Sequence, residues 1–187
     1  MPSDRIDPRR SVLVLVDYQQ RLMPAIHEGE RVVARAVRLA DAARILGIPV
    51  VGTEQNPAGL GPNAPAIRSR CDETLAKMAF DGCVDGLAAR VRAAGKGGDA
   101  QVAIAGCEAH VCLMQTALGL RREGFPVWVA ADACGSRHAE DREAALHRLE
   151  RAGAVLVTTE MLVFEWLGSC EHERFRDVLA LLKAPRA

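Results

Sequence analysis

Ser11-Val12-Leu13-Val14-Leu15-Val16-Asp17 is the stretch on which the fold turns. Six strand-forming residues, apolar almost throughout, end abruptly at a carboxylate. Without polar alternation, such a run reads as a strand buried on both faces, as in parallel sheets. After it, residues 30–46 carry helical spacing, with Val33, Val37, Ala40 and Leu46 on one stripe and Gly47 as the stop. Ile48-Pro49-Val50-Val51-Gly52 then starts a second strand, with Pro49 where a strand begins.

The same alternation recurs further on. Residues 101–105 are a strand closed by Gly106, 110–123 a helix ended by Gly124, and 125–130 a strand running into Asp132. Residues 138–151 are a helix ended by Gly153, and 154–157 a fifth strand. Thr158 or Thr159 can cap the last helical stretches, near 160–167 and 171–183. Residues 84–94 read as a small helix ending at Gly95, residues 97–99 as a turn, and residues 77–81 stay ambiguous. The Gly- and Pro-rich segment 54–66 reads as a long irregular loop, often a functional element in a compact domain. Strands alternating with helices predict βαβ units and a three-layer α/β/α sandwich around a mostly parallel sheet, as one domain over residues 1–187. In such sheets ligands bind beyond the carboxyl ends of the strands.

Composition narrows the function classes. The chain has 187 residues, 49% hydrophobic, with Lys+Arg and Asp+Glu equal at 24 each. A neutral balance argues against nucleic-acid or anionic-membrane partners, which need a basic face. The apolar runs are strand-sized, far short of the ~20 residues of a membrane helix, and no apolar leader precedes Ser11; the expected location is cytoplasmic. Six cysteines (71, 83, 107, 112, 134 and 170) form no Cys-x-x-Cys pair, so free thiols are expected rather than a zinc site or a disulfide framework.

Three residues could carry chemistry. Asp17 follows the first strand and fits either a general base or an N-cap for residues 18–24. Cys112 falls in the first turn of the 110–123 helix. Unpaired N–H groups there would favour a thiolate and could bind an oxyanion, although a free cysteine is commonly just a small buried hydrophobe. Lys77, in Leu75-Ala76-Lys77-Met78-Ala79-Phe80, is either a surface lysine or a buried one paired with a carboxylate and a thiolate. His110 is two residues from Cys112, and side chains so spaced do not face each other on a helix; it reads as structural or pocket-lining. No glycine-rich phosphate loop follows the first strand, and no Gly-x-Ser-x-Gly elbow occurs.

At these residues the chain resembles the isochorismatase-like cysteine hydrolase superfamily, which includes nicotinamidases, N-carbamoylsarcosine amidases and isochorismatases. The resemblance spans residues 11–167 and rests on segments in order. They are Leu13 to Gln19, Gly52-Thr53-Glu54-Gln55, Lys77-Met78-Ala79-Phe80, Gly106 to Ala117, Val129 to Arg137, and Thr158-Thr159-Glu160-Met161. The Gly-Thr-Glu-Gln loop and the tail look most like YcaC-type hydrolases and isochorismatase domain-containing proteins. The resemblance implies a catalytic set of Asp17, Lys77 and Cys112. It also implies a cis peptide at Cys107–Glu108, aiming the N–H of Glu108 or Ala109, with that of Cys112, at an oxyanion. Tyr18, Gln19, Gln55, His110 and Arg137 are candidate pocket residues by strand-end placement.

Two departures matter. Metal-dependent nicotinamidases carry an Asp-x-His-His cluster after the second strand. Here the segment reads Glu54-Gln55-Asn56-Pro57, so no catalytic metal and no cofactor are expected. Siderophore-pathway isochorismatases lack the nucleophilic cysteine, and Cys112 is present here. The expected function is therefore a cysteine-dependent hydrolase of a small amide or related C–N substrate, through a thioester, in a homo-oligomer. The alternatives are a non-catalytic binding protein on the same fold, a thiol redox sensor with Cys107 as resolving partner, and a metal-dependent hydrolase.

Overall fold

The computed structural model describes residues 5–95 and 99–183. Most of the turn expected at 97–99 lies outside them, as do the first four residues. The strands are β1 (Ser11–Val16), β2 (Val50–Gln55), β3 (Glu73–Lys77), β4 (Gln101–Gly106), β5 (Val127–Ala130) and β6 (Val155–Val157). All pair in parallel, in the order β3-β2-β1-β4-β5-β6. The helices are α1 (Gly29–Ile45), α2 (Pro57–Leu60), α3 (Pro65–Arg68), α4 (Leu87–Ala94), α5 (Met114–Arg122), α6 (Ala139–Arg151), α7 (Thr159–Leu167) and α8 (Phe175–Lys183).

Sheet order and handedness fix the layers. From β1 the chain steps by α1 to β2 on one side, whereas from β4 it steps by α5 to β5 on the other. Right-handed crossovers in opposite directions put the connecting helices on opposite faces. Accordingly α1 packs with α7 and α8, and α5 packs with α6. This is the expected three-layer sandwich, and its buried residues form one continuous cluster. Val12 to Val16 are wholly inaccessible, because β1 is central and covered on both faces. Among the described residues no helix is long and apolar enough to cross a membrane.

The structure corrects several local expectations. β3 is a strand that periodicity missed: it is an edge strand, and only Leu75 and Lys77 of its five residues are buried. The buried stripe of α1 is Val32, Ala36, Leu39, Ala40 and Ala43, while Val33 and Val37 are only partly covered. Small alanines face the sheet there because the helix lies close against it. β2 continues to Gln55, and the segment beyond it contains α2 and α3, each opened by a proline, rather than one irregular loop. The expected helix at 110–123 begins as a turn of π-helix (Ala109–Leu113) before α5.

Candidate active site

β1 and β4 are neighbours whose chains leave in opposite directions, so a crevice opens at their carboxyl ends. Register brings the relevant residues level there: Val16 pairs with Thr53 and with Gly106, and Gln55 pairs with Lys77. Gly106 is required by the close approach of β1, since a Cβ there would overlap the backbone of Val16. Both β1 and β2 are followed by a residue in the left-handed region, Asp17 (φ 55°) and Asn56 (φ 38°). Asp and Asn tolerate this conformation better than most residues. Asp17 caps no helix: the segment after it forms only a short 3-10 turn at Met23–Ala25.

Asp17 and Lys77 are both buried. Lys77 Nζ lies 2.8 Å from Asp17 Oδ2, and Thr53 Oγ1 donates to Asp17 Oδ1 at 2.6 Å. Lys77 Nζ also donates to Gln55 Oε1 at 2.6 Å, and reaches Ala79 O and Phe80 O at 3.3 and 3.4 Å. Burying an ammonium this completely requires such saturation with acceptors and a counter-ion. Cys112, 6% exposed, completes the group, with Sγ donating to Gln55 Oε1 at 3.9 Å.

Burial pushes the Cys112 thiol up to about 12. The Asp17 carboxylate adds to the rise, and the Lys77 ammonium opposes it. This reverses the lowered value expected at a helix start. Desolvation is the largest cause, and in the π turn Val111 N–H and Leu113 N–H both donate to Glu108 O, at 3.0 and 3.2 Å. Those N–H groups are occupied within the turn, and desolvation prevails. The resting cysteine is a neutral thiol next to a carboxylate.

The peptide bond Cys107–Glu108 is cis. Ala109 N–H donates to Gly135 O at 2.7 Å, so it is committed and cannot serve an oxyanion. Glu108 accepts from Arg137 N and Nε, both at 3.0 Å, which ties the turn after β4 to the loop after β5. His110 Nδ1 lies 3.0 Å from Ser136 Oγ, away from the thiol. Tyr18 and Gln19 are corrections. Both are fully buried rather than pocket-lining. Tyr18 donates to Ala133 O at 2.6 Å, while Gln19 clamps Gln55 through its N–H and C=O, each at 2.9 Å. Strand-end logic placed them at the right edge, but their side chains turn into the protein and meet backbone groups.

The supporting network was largely invisible in the sequence. Asp85 accepts from Met78 N and Ala79 N at 2.9 Å, Thr116 Oγ1 donates to Phe80 O at 3.2 Å, and Asp81 pairs with Arg122 at 2.7 Å. Together they hold the 78–86 segment, whose carbonyls hold Lys77. None of these residues carries a local signal. Glu54, at the place of the histidine-bearing cluster of metal-dependent relatives, accepts from Asn63 N at 2.8 Å and faces Arg68 at 4.0 Å. Among the described residues no group of three or more His, Cys, Asp or Glu could hold a metal ion. A cavity of about 280 Å³ lies elsewhere, lined by His27, Arg31, Asp132 and Arg142 among others.

Residues 11–161 match the model of the Isochorismatase domain. Isochorismatase domain-containing protein 2 from Homo sapiens is 36% identical over 181 residues, covering 97% of this chain and 87% of its own. The MAR1 ribonuclease of Caenorhabditis elegans superposes with a TM-score of 0.88 at 34% identity, over 97% of this chain and 94% of its own. YcaC of Escherichia coli, described as an octameric hydrolase of unknown specificity, superposes with a TM-score of 0.84 at 27% identity, over 97% and 89%.

Proposed function

The chain belongs to the isochorismatase family of hydrolases, and from that premise we propose that it hydrolyses a small amide or related C–N bond with Cys112 as nucleophile. One observation carries this reading. Asp17, Lys77 and Cys112, far apart in sequence, converge as a buried acid, ammonium and thiol at the switch point of the sheet. Substrate entry displaces water and brings a carbonyl carbon to Sγ. Asp17 takes the thiol proton as the sulfur attacks, and Lys77 offsets the negative charge moving between the two. The N–H groups of Glu108 and Cys112 are the proposed oxyanion donors, since that of Ala109 is occupied. Asp17 passes its proton to the departing nitrogen, leaving an amine and a Cys112 thioester. Asp17 then deprotonates a water that cleaves the thioester, and the proton returns to Sγ as the acid leaves. The octameric assembly of the YcaC relative supports a homo-oligomer here as well.

The ribonuclease name of the nematode relative raises a second reading, phosphodiester cleavage. A phosphate needs a reachable cation, and Lys77 is buried and paired with Asp17, so the amide reading is favoured. The test is Cys112→Ala, assayed against a panel of small primary and N-substituted amides and against a fluorescent RNA. We expect amide turnover in the wild type and at least about a 10³-fold loss in the variant, with an unchanged melting curve. Equal turnover by the two proteins would overturn the nucleophile assignment. RNA cleavage lost in the variant would favour the second reading.

A further inference from the structure

Gln55 touches both Lys77 and the sulfur, yet the mechanism above gives it no step. Its side chain has a single orientation open to it. Nε2 donates to Met78 O at 2.8 Å, which leaves Oε1 facing inward. Its backbone is gripped on both sides by Gln19, whose own amide also donates to Gly61 O at 2.6 Å. Thus a rigid carbonyl oxygen is presented to Lys77 Nζ at 2.6 Å and to Cys112 Sγ at 3.9 Å.

We propose that Gln55 is a positioning residue that keeps Cys112 protonated at rest, by offering an acceptor-only oxygen to the thiol and holding one Lys77 proton away from the sulfur. The proposal rests on the nucleophile reading given above. A carbonyl oxygen accepts from S–H but opposes the lone pairs of a thiolate, and an N–H spent on Oε1 is not available to stabilise that thiolate. The charged groups acting on Cys112 are Asp17, from the end of β1, and Lys77, from the end of β3. Next to them on the π turn, Glu108 is paired with Arg137, and His110 is turned toward Ser136 and Asp141. Gln55 therefore adjusts a balance set by one carboxylate and one ammonium. The consequence is a site that reacts little with adventitious electrophiles until a substrate carbonyl arrives and Asp17 takes the proton.

Iodoacetamide alkylation of Cys112, followed against pH by mass spectrometry, tests this without any substrate. Gln55→Met keeps the length and removes the acceptor, and Gln55→Glu keeps the acceptor and adds a negative charge. The labelling midpoint should fall by about one pH unit or more in Gln55→Met, giving about tenfold faster labelling at a fixed pH below the midpoint. It should rise in Gln55→Glu. Exposed Cys170 serves as the internal rate reference, and continued protection of buried Cys107 and Cys134 shows that each variant is folded. A midpoint unmoved or raised in folded Gln55→Met overturns the proposal, as does a lowered one in Gln55→Glu. If the midpoints shift as stated while Cys112→Ala retains turnover, it is the nucleophile reading that fails, and the role of Gln55 toward the thiol stands. Should Gln55→Met lose Cys107 protection, Gln55→Leu, which also removes the acceptor without adding charge, is read by the same criterion, a lowered midpoint supporting the proposal and an unmoved or raised one overturning it.

Discussion

Asp17 shows at the scale of one residue how much a buried charge depends on its partner. Lys77 has no exposed side-chain surface, and among the described residues its ion pair is with Asp17. Asp17→Asn preserves shape but leaves the ammonium uncompensated, which costs about 3–5 kcal/mol for a broken buried pair. We expect the urea midpoint to fall accordingly and turnover to vanish. Adding Lys77→Met should recover much of the stability without restoring activity, because removing both charges together is far cheaper than removing one. If the double variant were no more stable than Asp17→Asn, the pair would not be the source of the loss. The triad was named from resemblance, with the local reading of each member left open between chemistry and scaffolding. The folded chain adds their burial and proximity, on which the proposed chemistry rests.

At the scale of elements, the 78–86 segment is what turns a strand end into half of a site. Asp81 packs directly against Gly119 of α5, where a Cβ would overlap its carboxylate, and it also accepts from Arg122 and Cys83 N. Gly119→Ala should therefore displace Asp81, costing about 1–3 kcal/mol as overpacking, and slacken the carbonyls that hold Lys77. The expected result is a lower melting temperature together with a larger drop in turnover than in substrate affinity. An unchanged turnover number would show that the latch does not reach the site. The central strands were legible because apolar β-branched runs have few other uses. β3 was not, since Glu73, Thr74 and Lys77 leave it no apolar run. The π turn was not, since its pattern over five residues is indistinguishable from the first turn of an α-helix.

For the whole molecule, alkaline pH acts through the buried thiols. Burial holds Cys134 up at about 12 and Cys107 well above its ordinary range, while unfolded cysteines ionise near ~8.5. Between these values the unfolded chain binds fewer protons than the folded one, so stability falls as pH rises. Each fully buried thiol contributes a slope of about 1.4 kcal/mol per pH unit. Urea unfolding between pH 8 and 10 should show the decline, and it should be shallower in Cys134→Ala. An equal slope in both would exclude Cys134 as a contributor. The proposed assembly is tested at the same scale. Met78, Phe80, Val84, Val155, Met161 and Phe164 are exposed apolar side chains on a 20.1 kDa chain. Light scattering after size exclusion should return a multiple of that mass, whereas a monomer at micromolar concentration would refute the homo-oligomer.

The sequence by itself determined the architecture, because hydrophobic periodicity and glycine stops act locally and repeat along the chain. It also determined, through ordered motifs, which three residues to watch. Only the tertiary structure decided what those residues are to one another. The register of β1 with β2 and β4, and of β2 with β3, brings Asp17, Thr53, Gln55, Lys77 and Cys112 into one enclosure. The protonation of Cys112 follows from that enclosure, since desolvation and fixed neighbours are set by packing in three dimensions rather than by the order of residues along the chain.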